Sequence, residues 1–166
     1  PASMAVAIHP RYDYGLYEVD GKVYLIAQGL KDEVVKATGL ELGEPIISCK
    51  GADLEHSKAM HPFYDRVTPL VLADYVTLES GTGCVHTAPG HGTEDYETGV
   101  RYGIEIYNPV DETGHYYQDT PIFAGLSLAE GEKKVFELLG ESKRLLGCQK
   151  IVHSYPHCWR CKKPVI

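Results

Sequence analysis

The sequence predicts a mainly β, α+β domain, a closed or nearly closed barrel of short strands with helices at its periphery. Three observations lead there. Short apolar runs bounded by glycine and proline recur along the chain. One pair of runs alternates about an Asp-Gly dipeptide, the strongest short-range hairpin signal. Only three segments carry the 3.6-residue apolar spacing of a helix. Many short strands with few helices between them are best arranged as a sheet that curls to cover its own edges.

In order, residues 4–8 (MAVAI) form a short apolar strand. Residues 17–27 (YEVDGKVYLIA) alternate on both sides of Asp20-Gly21, where a two-residue turn needs positive φ that Asp and Gly tolerate. Residues 30–38 have helical spacing, with Leu30, Val34, Val35 and Ala37 expected on the core side and Gly39 as the stop. Further strands are expected at 45–49, 70–73, 76–78, 84–87, 104–107 and 148–152, and further helices at 93–102 and 128–139. There is no internal repeat and no low-complexity linker.

A length of 166 residues and a hydrophobic content of 43% fit one domain with a core of its own. No run approaches the roughly 18 to 20 apolar residues of a membrane span, and the first ten residues lack the basic and apolar regions of a signal peptide. Five scattered cysteines, an odd number, do not make a secreted disulfide framework. A cytoplasmic protein with no membrane partner is the expectation. The net charge of −7 argues against a broad grip on phosphate backbone. The sign is uneven, however: Lys143, Arg144, Lys150, Arg160, Lys162 and Lys163 follow Ser142 with no acid among them, so RNA contact belongs near the C-terminal end.

The most informative stretch is GTGCVHTAPGHGTEDY at 81–96, which sets Gly81, Gly83, Gly90, Gly92 and Pro89 around His86 and His91. Such a loop supplies positive φ or close backbone approach and is built to present groups. Thr93 reads as a helix N-cap with Glu94 and Asp95 in the first turn, and Gly103 as the stop. On pattern alone Asp95 complements the helix dipole. The two histidines are five apart and no Glu follows His86, so the i, i+4 arrangement of a zinc protease is absent. Thr82 and Thr87 can offer hydroxyls, and the backbone amides of the glycine loop, Gly83 and Gly90 included, can face an oxyanion, although such side chains also serve the turn itself. Cys158 and Cys161 are half of a tetrathiolate zinc site without a second CxxC; His153 and His157 are the nearest nitrogens, and no metal is expected in this chain alone.

Taken together, HPFYDR (61–66), YVTLESGTG (75–83), VHTAPGHG with the acidic pair and tyrosine after it (85–96), YNPVDETG (107–114) and HSYPHCWRCKKPVI (153–166) resemble, in order, the editing domain inserted in isoleucyl-tRNA synthetases. Related forms occur in the valyl and leucyl enzymes, and the last string favours the isoleucyl type. The resemblance implies an editing domain over residues 1–152 and, from 153 to 166, the start of the return connection to a synthetic domain. It implies hydrolysis of the ester that joins a wrong amino acid, valine, to the 3′ end of the isoleucine tRNA. The partners would be that tRNA end and the remainder of the synthetase. No cofactor is implied for editing; some members complete a structural zinc site with cysteines that precede the insertion. Asp95 rather than Glu94 would pair with the substrate α-ammonium, and its removal would leave folding nearly unaffected. His86 would act beside it as a wall of the pocket, and His91 would brace the loop. Thr82, Gly83, Thr87, Gly90, His91 and Ser3 would line the substrate. Pro1-Ala2-Ser3 looks like the tail of the family's threonine-rich strand, with Ser3 where Asn is common. The threonines would then lie upstream, and this stretch alone would be weakly active or inactive. Two other readings stand beside this one: a noncatalytic module that positions the tRNA acceptor end or binds through the CxxC, and a free-standing trans-editing deacylase.

Overall fold

The structure, a computed structural model, describes residues 1–148 and 156–162. The order is β1 (Ala5–Ile8), β2 (Asp13–Val19), β3 (Lys22–Ala27), α1 (Lys31–Thr38), β4 (Ile47–Lys50), β5 (Lys58–Met60), β6 (Val67–Leu72), β7 (Cys84–Thr87), α2 (Thr93–Tyr102) and α3 (Leu128–Glu141). The fold is mixed α+β and mainly sheet. One sheet has four strands in the order β5-β6-β1-β7, the other three in the order β3-β2-β4.

β1 is the organising strand of the larger sheet. It runs parallel to β6, with Val6 opposite Leu70, and antiparallel to β7, with Val6 opposite His86. Strand alternation divides its side chains between two cores. Ala5 and Ala7 enter a cluster with Val71, Ala73 and Val76, against which Tyr75, Tyr102 and Ile104 pack. Val6 and Ile8 point the other way, into a cluster with Tyr14, Ala27, Leu30 and Leu70. Small side chains on the first face let the aromatic rings come close.

The Asp20-Gly21 hairpin forms as expected, with φ of 51° and 73° and Val19 opposite Lys22. At its far end Tyr14, fully buried, ties three segments together: its hydroxyl accepts from His9 N at 3.0 Å and donates to Gly83 O at 2.7 Å. Beside it Ala27 N donates to Thr82 O at 2.8 Å, so β3 meets the approach to β7. Beyond β4, His56 N donates to Leu70 O and Leu70 N to Ser57 O, which brings that segment alongside β6. Among the described residues the strand pairings still make two sheets and no closed ring.

Several expected elements differ. Residues 76–78 are not a strand: Val76 is buried in the Ala5 cluster, while Leu78 lies over Gly29. Residues 104–107 are also irregular, with Ile104 N bonded to Gly99 O at the exit of α2. In both places alternation reported one side chain packed against the Ala5 cluster, Val76 buried and Ile104 partly so, and no partner strand was at hand. β5 went unanticipated because Lys58-Ala59-Met60 has no apolar pattern; it exists through its pairing with β6. Of the residues expected on the core side of this helix, Leu30, which precedes α1 as its N-cap, and Val34 are buried, Val35 is partly so, and Ala37 is exposed. The expected strand at 148–152 lies outside the described residues apart from Cys148, which is irregular and exposed.

The chain divides into two compact units, residues 2–108 with both sheets, α1 and α2, and the residues from Pro109 onward, with which Pro1 clusters. In the second unit Val110 bridges Tyr116, and the rings of Tyr116 and Phe123 pack at 5.3 Å. α3 opens with a capping box in which Ser127 and Glu130 satisfy one another's backbone amides. Among the described residues no helix is long and apolar enough to cross a membrane.

Burial pushes the Tyr14 phenol up to about 12, so it remains a donor at neutral pH. Tyr14→Phe leaves the Gly83 carbonyl and the His9 amide without this buried partner. The expected loss is about 1–3 kcal/mol in urea unfolding with an unchanged m-value; an unchanged midpoint would remove Tyr14 from this role.

Candidate functional site

Residue 83 prepares the site. Gly83 has φ +77°, and a Cβ there would stand 2.4 Å from Ala27 Cβ, so only glycine lets β3 and the start of β7 approach this closely. β7 then carries Cys84 to Thr87 along β1. His86 is exposed, whereas Thr87 is fully buried with its Oγ1 3.3 Å from the Tyr75 hydroxyl. Met4 N donates to Thr87 O at 2.8 Å, which sets Ser3 beside the end of β7. The Ser3 carbonyl in turn accepts from Arg66 Nη1 at 2.9 Å.

The chain turns sharply after Thr87. His91 N donates to Ala88 O at 2.9 Å, and Gly90 passes so near the following segment that a Cβ would lie 2.6 Å from Tyr107 O. α2 begins at once, with Tyr96 N bonded to Gly92 O. Its N-cap is Gly92 at φ −167°, one residue before the expected Thr93, which is the first helical residue. Glycine has no capping side chain, so the acid at the third helical position is free to reach outward. Asp95 uses this freedom: its Oδ2 accepts from Ala88 N at 2.8 Å. Asp95 is half-buried and Glu94 is exposed, so the structure distinguishes two acids that sequence alone separated only by motif spacing.

Behind Asp95 lies a small polar cluster of Tyr75, Thr87 and Thr98. Thr98 is buried, one turn after Asp95 on the same side of α2. The Tyr75 phenol is held above its ordinary pKa, first by burial and then by its surroundings, which include the Asp95 carboxylate. Partial burial of the His91 ring lowers its pKa, with a smaller contribution from the nearby His86. Cys84, two residues before His86 and so on the same side of β7, donates weakly to Leu25 O at 3.8 Å. Burial pushes its thiol up to about 11, so no thiolate is present at neutral pH.

Met4 is thus hydrogen-bonded to Thr87, with Ser3 next to it in the chain, and Ala88 to Asp95; His86, on β7, and His91, in the loop after it, lie near one another. Thr82 and Gly83 lie at the other end of β7, about 13 Å away at strand rise. The Thr82 hydroxyl accepts from Cys84 N at 3.3 Å, serving its own turn. Sequence reasoning passed over Tyr75, Thr98, His61 and Arg66. Tyr75 entered only as the first residue of the YVTLESGTG string, and nothing in the spacing links it to residue 95. His61, 4% exposed, accepts from Tyr64 N at 3.2 Å through Nδ1. Burial, then the Arg66 guanidinium, push its imidazole down to about 4.

Among the described residues no three His, Cys, Asp or Glu side chains gather to hold a metal. Backbone hydrogen bonds around Cys161 and Arg160 hold the Cys158 thiol below its usual pKa. Cys158 and Cys161 remain half a tetrahedral set, so these residues do not fit a zinc ion by themselves. His153 lies outside the described residues.

The family model for the leucyl-tRNA synthetase editing domain matches residues 42–135. The chain belongs to that family. It is 55% identical to an isoleucine–tRNA ligase of Nitratidesulfovibrio vulgaris (strain DSM 19637 / Miyazaki F), over 100% of this chain and 18% of that protein. The corresponding ligases of Caldanaerobacter subterraneus subsp. tengcongensis and Geobacter sulfurreducens are each 48% identical with the same coverage. The chain thus spans 18% of the length of these relatives and is homologous to the editing domain of isoleucyl-tRNA synthetases. The crystal structure of GlLeuRS-CP1 has the same kind of fold, with a TM-score of 0.66 over 90% of this chain and 79% of that one at 16% identity.

The depressed pKa of His61 gives stability a definite pH dependence. The unfolded chain binds the proton near pH 6.5 and the folded chain near 4, so stability is complete above about 6.5 and falls as pH drops between them. The expected loss is about 2–3 kcal/mol at pH 4 by chemical denaturation. His61→Asn, which keeps an acceptor for the Tyr64 amide, should remove that part of the acid dependence. An identical slope in the variant would contradict the assignment.

Proposed function

We propose that the chain is the post-transfer editing domain of an isoleucyl-tRNA synthetase and hydrolyses valine from mischarged isoleucine tRNA. The observation that carries this reading is the Asp95 carboxylate, half-buried at the start of α2 and braced by the Ala88 amide. Such a carboxylate suits the α-ammonium of an aminoacyl ester, because a charge-assisted hydrogen bond anchors the substrate and orients its carbonyl. His86, exposed next to the buried Thr87, suits a wall that admits valine and excludes isoleucine. A second, smaller site is needed because a pocket for isoleucine rejects a side chain one methylene shorter by only about 1–3 kcal/mol.

In this mechanism a water adds to the ester carbonyl and the carbon–oxygen bond to the terminal ribose breaks. The ribose oxygen leaves with one proton of the water, the other passes to solvent, and valine departs as its carboxylate. The chain supplies orientation rather than a nucleophile, in keeping with a Cys84 thiol that stays protonated. Ser3, Gly90 and His91 are the remaining substrate-side residues of this reading, whereas the buried Thr87, and Thr82 and Gly83 at the far end of β7, serve the fold. We read residues 1–152 as the domain and 153–166 as the return to the synthetic domain, with a structural zinc completed, if at all, by cysteines elsewhere in a cytoplasmic parent enzyme. The two sheets, joined at Ala27 and Thr82, are read as parts of one nearly closed barrel.

Two substitutions test this in the complete synthetase that carries the chain. Asp95→Asn keeps an acceptor for the Ala88 amide and removes the charge. It should cost about 2–5 kcal/mol in kcat/KM for valyl-tRNA hydrolysis with little change in melting. Asp95→Ala should lower stability as well, by about 1–3 kcal/mol, because the Ala88 amide loses its partner. That revises the expectation that folding would be nearly unaffected. Normal hydrolysis by Asp95→Asn would return the residue to a structural role. His86→Ala should open the site to isoleucyl-tRNA; if the variant spares that ester while cleaving the valyl one normally, His86 is no wall.

A further inference from the structure

The polar cluster behind Asp95 contains a residue to which the editing mechanism assigns no task. Tyr75 sits in the irregular segment after β6, its ring half-buried against the Ala5, Ala7 and Val71 cluster. Its hydroxyl is 3.3 Å from Thr87 Oγ1, and Thr87 is fully buried with its own side chain fixed. The next backbone amide, that of Ala88, is the donor to Asp95 Oδ2. Thr98 closes the cluster from α2. The Ala88 amide therefore meets Asp95 directly, and the Tyr75 phenol stands among Thr87, Thr98 and the Asp95 carboxylate.

We propose that Tyr75 is a positioning residue for the Asp95 carboxylate: its phenol, held by Thr87, donates a hydrogen bond that keeps the carboxylate turned toward the substrate ammonium. This rests on the reading of Asp95 as the ammonium anchor. A carboxylate has about four acceptor positions on its two oxygens, and the Ala88 amide fills one. A carboxylate with one donor can rotate about that bond, whereas a second donor fixes its plane. Tyr75 can serve as that donor throughout neutral pH, because burial and the nearby carboxylate both keep its proton in place. Phenylalanine at this position would pack as well but would leave Thr87 and Asp95 each short of a partner. The competing possibility, a core aromatic whose hydroxyl is merely satisfied, predicts a different response to substrate charge.

The experiment is calorimetric titration of this chain with two probes, the valyl amide of 3′-amino-3′-deoxyadenosine with its free ammonium and the same compound N-acetylated. The wild-type chain should prefer the ammonium probe, and Asp95→Asn should lose the preference. Tyr75→Phe should reduce the preference about 5- to 50-fold, the scale of one hydrogen bond to a charged group, while binding of the acetylated probe is unchanged. Thr87→Val, which frees the phenol without removing it, should give a smaller loss in the same direction and provides the test if Tyr75→Phe does not fold. Loss of the preference in Asp95→Asn but not in Tyr75→Phe, or equal weakening of both probes by Tyr75→Phe, would overturn the role of Tyr75 alone. A wild-type chain with no preference would overturn the anchor and Tyr75 together.

Discussion

The hydrogen bond from the Ala88 amide to Asp95 Oδ2, 2.8 Å long, closes the loop between β7 and α2, and the candidate site depends on it. The loop has few other reasons to keep one shape. Its helix starts on a glycine that offers no capping group, so the acid that would ordinarily turn back to the helix end instead holds the strand end. A hydrogen bond to an ionised acceptor is roughly twice as strong as a neutral one, which suits a contact that must order several residues at once. The far end of α2 is fixed independently. The Tyr102 hydroxyl donates to Glu55 Oε1 at 2.6 Å and accepts from Leu72 N at 3.0 Å, so the helix is pinned to the sheet at both ends. Asp95 is then presented by a helix that cannot slide along β1 and β6.

The surroundings of Asp95 determine what chemistry is available there. The only thiol on β7 is partly buried and protonated, the His91 imidazole is held below its ordinary pKa, and the hydroxyls of Thr82 and Thr87 are engaged within the fold. In the proposed reading these residues orient and exclude. That division of labour is what hydrolysis by a bound water asks of a protein: a fixed charge for the ammonium, a wall for the side chain, and no competing nucleophile.

Much of this was legible in the sequence where local chemistry decides the outcome. The Asp20-Gly21 turn, the stops at Gly39 and Gly103, the α2 and α3 helices and the strand before the glycine loop all follow from residues that leave the backbone little choice. Gly83 and Gly90 are required as the composition of the loop suggested, one by its positive φ and the other by the nearness of Tyr107. What could not be read were features set by distant partners. The Lys58-Ala59-Met60 strand is made by β6, and residues 104–107 alternate without any strand to pair with. Asp95 was singled out through its motif, but its bond to Ala88 and the cluster of Tyr75, Thr87 and Thr98 behind it are products of the fold. No periodicity joins position 75 to position 95, because the two meet only when β7 lies between them.

The central claim is that one carboxylate both closes the loop and receives the substrate ammonium, and amide resonances report both at once. In a titration of the isotope-labelled chain with the valyl amide of 3′-amino-3′-deoxyadenosine, the Ala88 amide proton and the Asp95 carboxyl carbon should shift together and saturate at the same concentration. Neutralising Asp95 by ion pairing weakens it as an acceptor, so the Ala88 proton should move upfield. If the probe binds and shifts resonances elsewhere while the Ala88 amide and the Asp95 carboxyl stay where they were, the loop bond and the ligand are independent, and Asp95 is a structural acid rather than the anchor of the site.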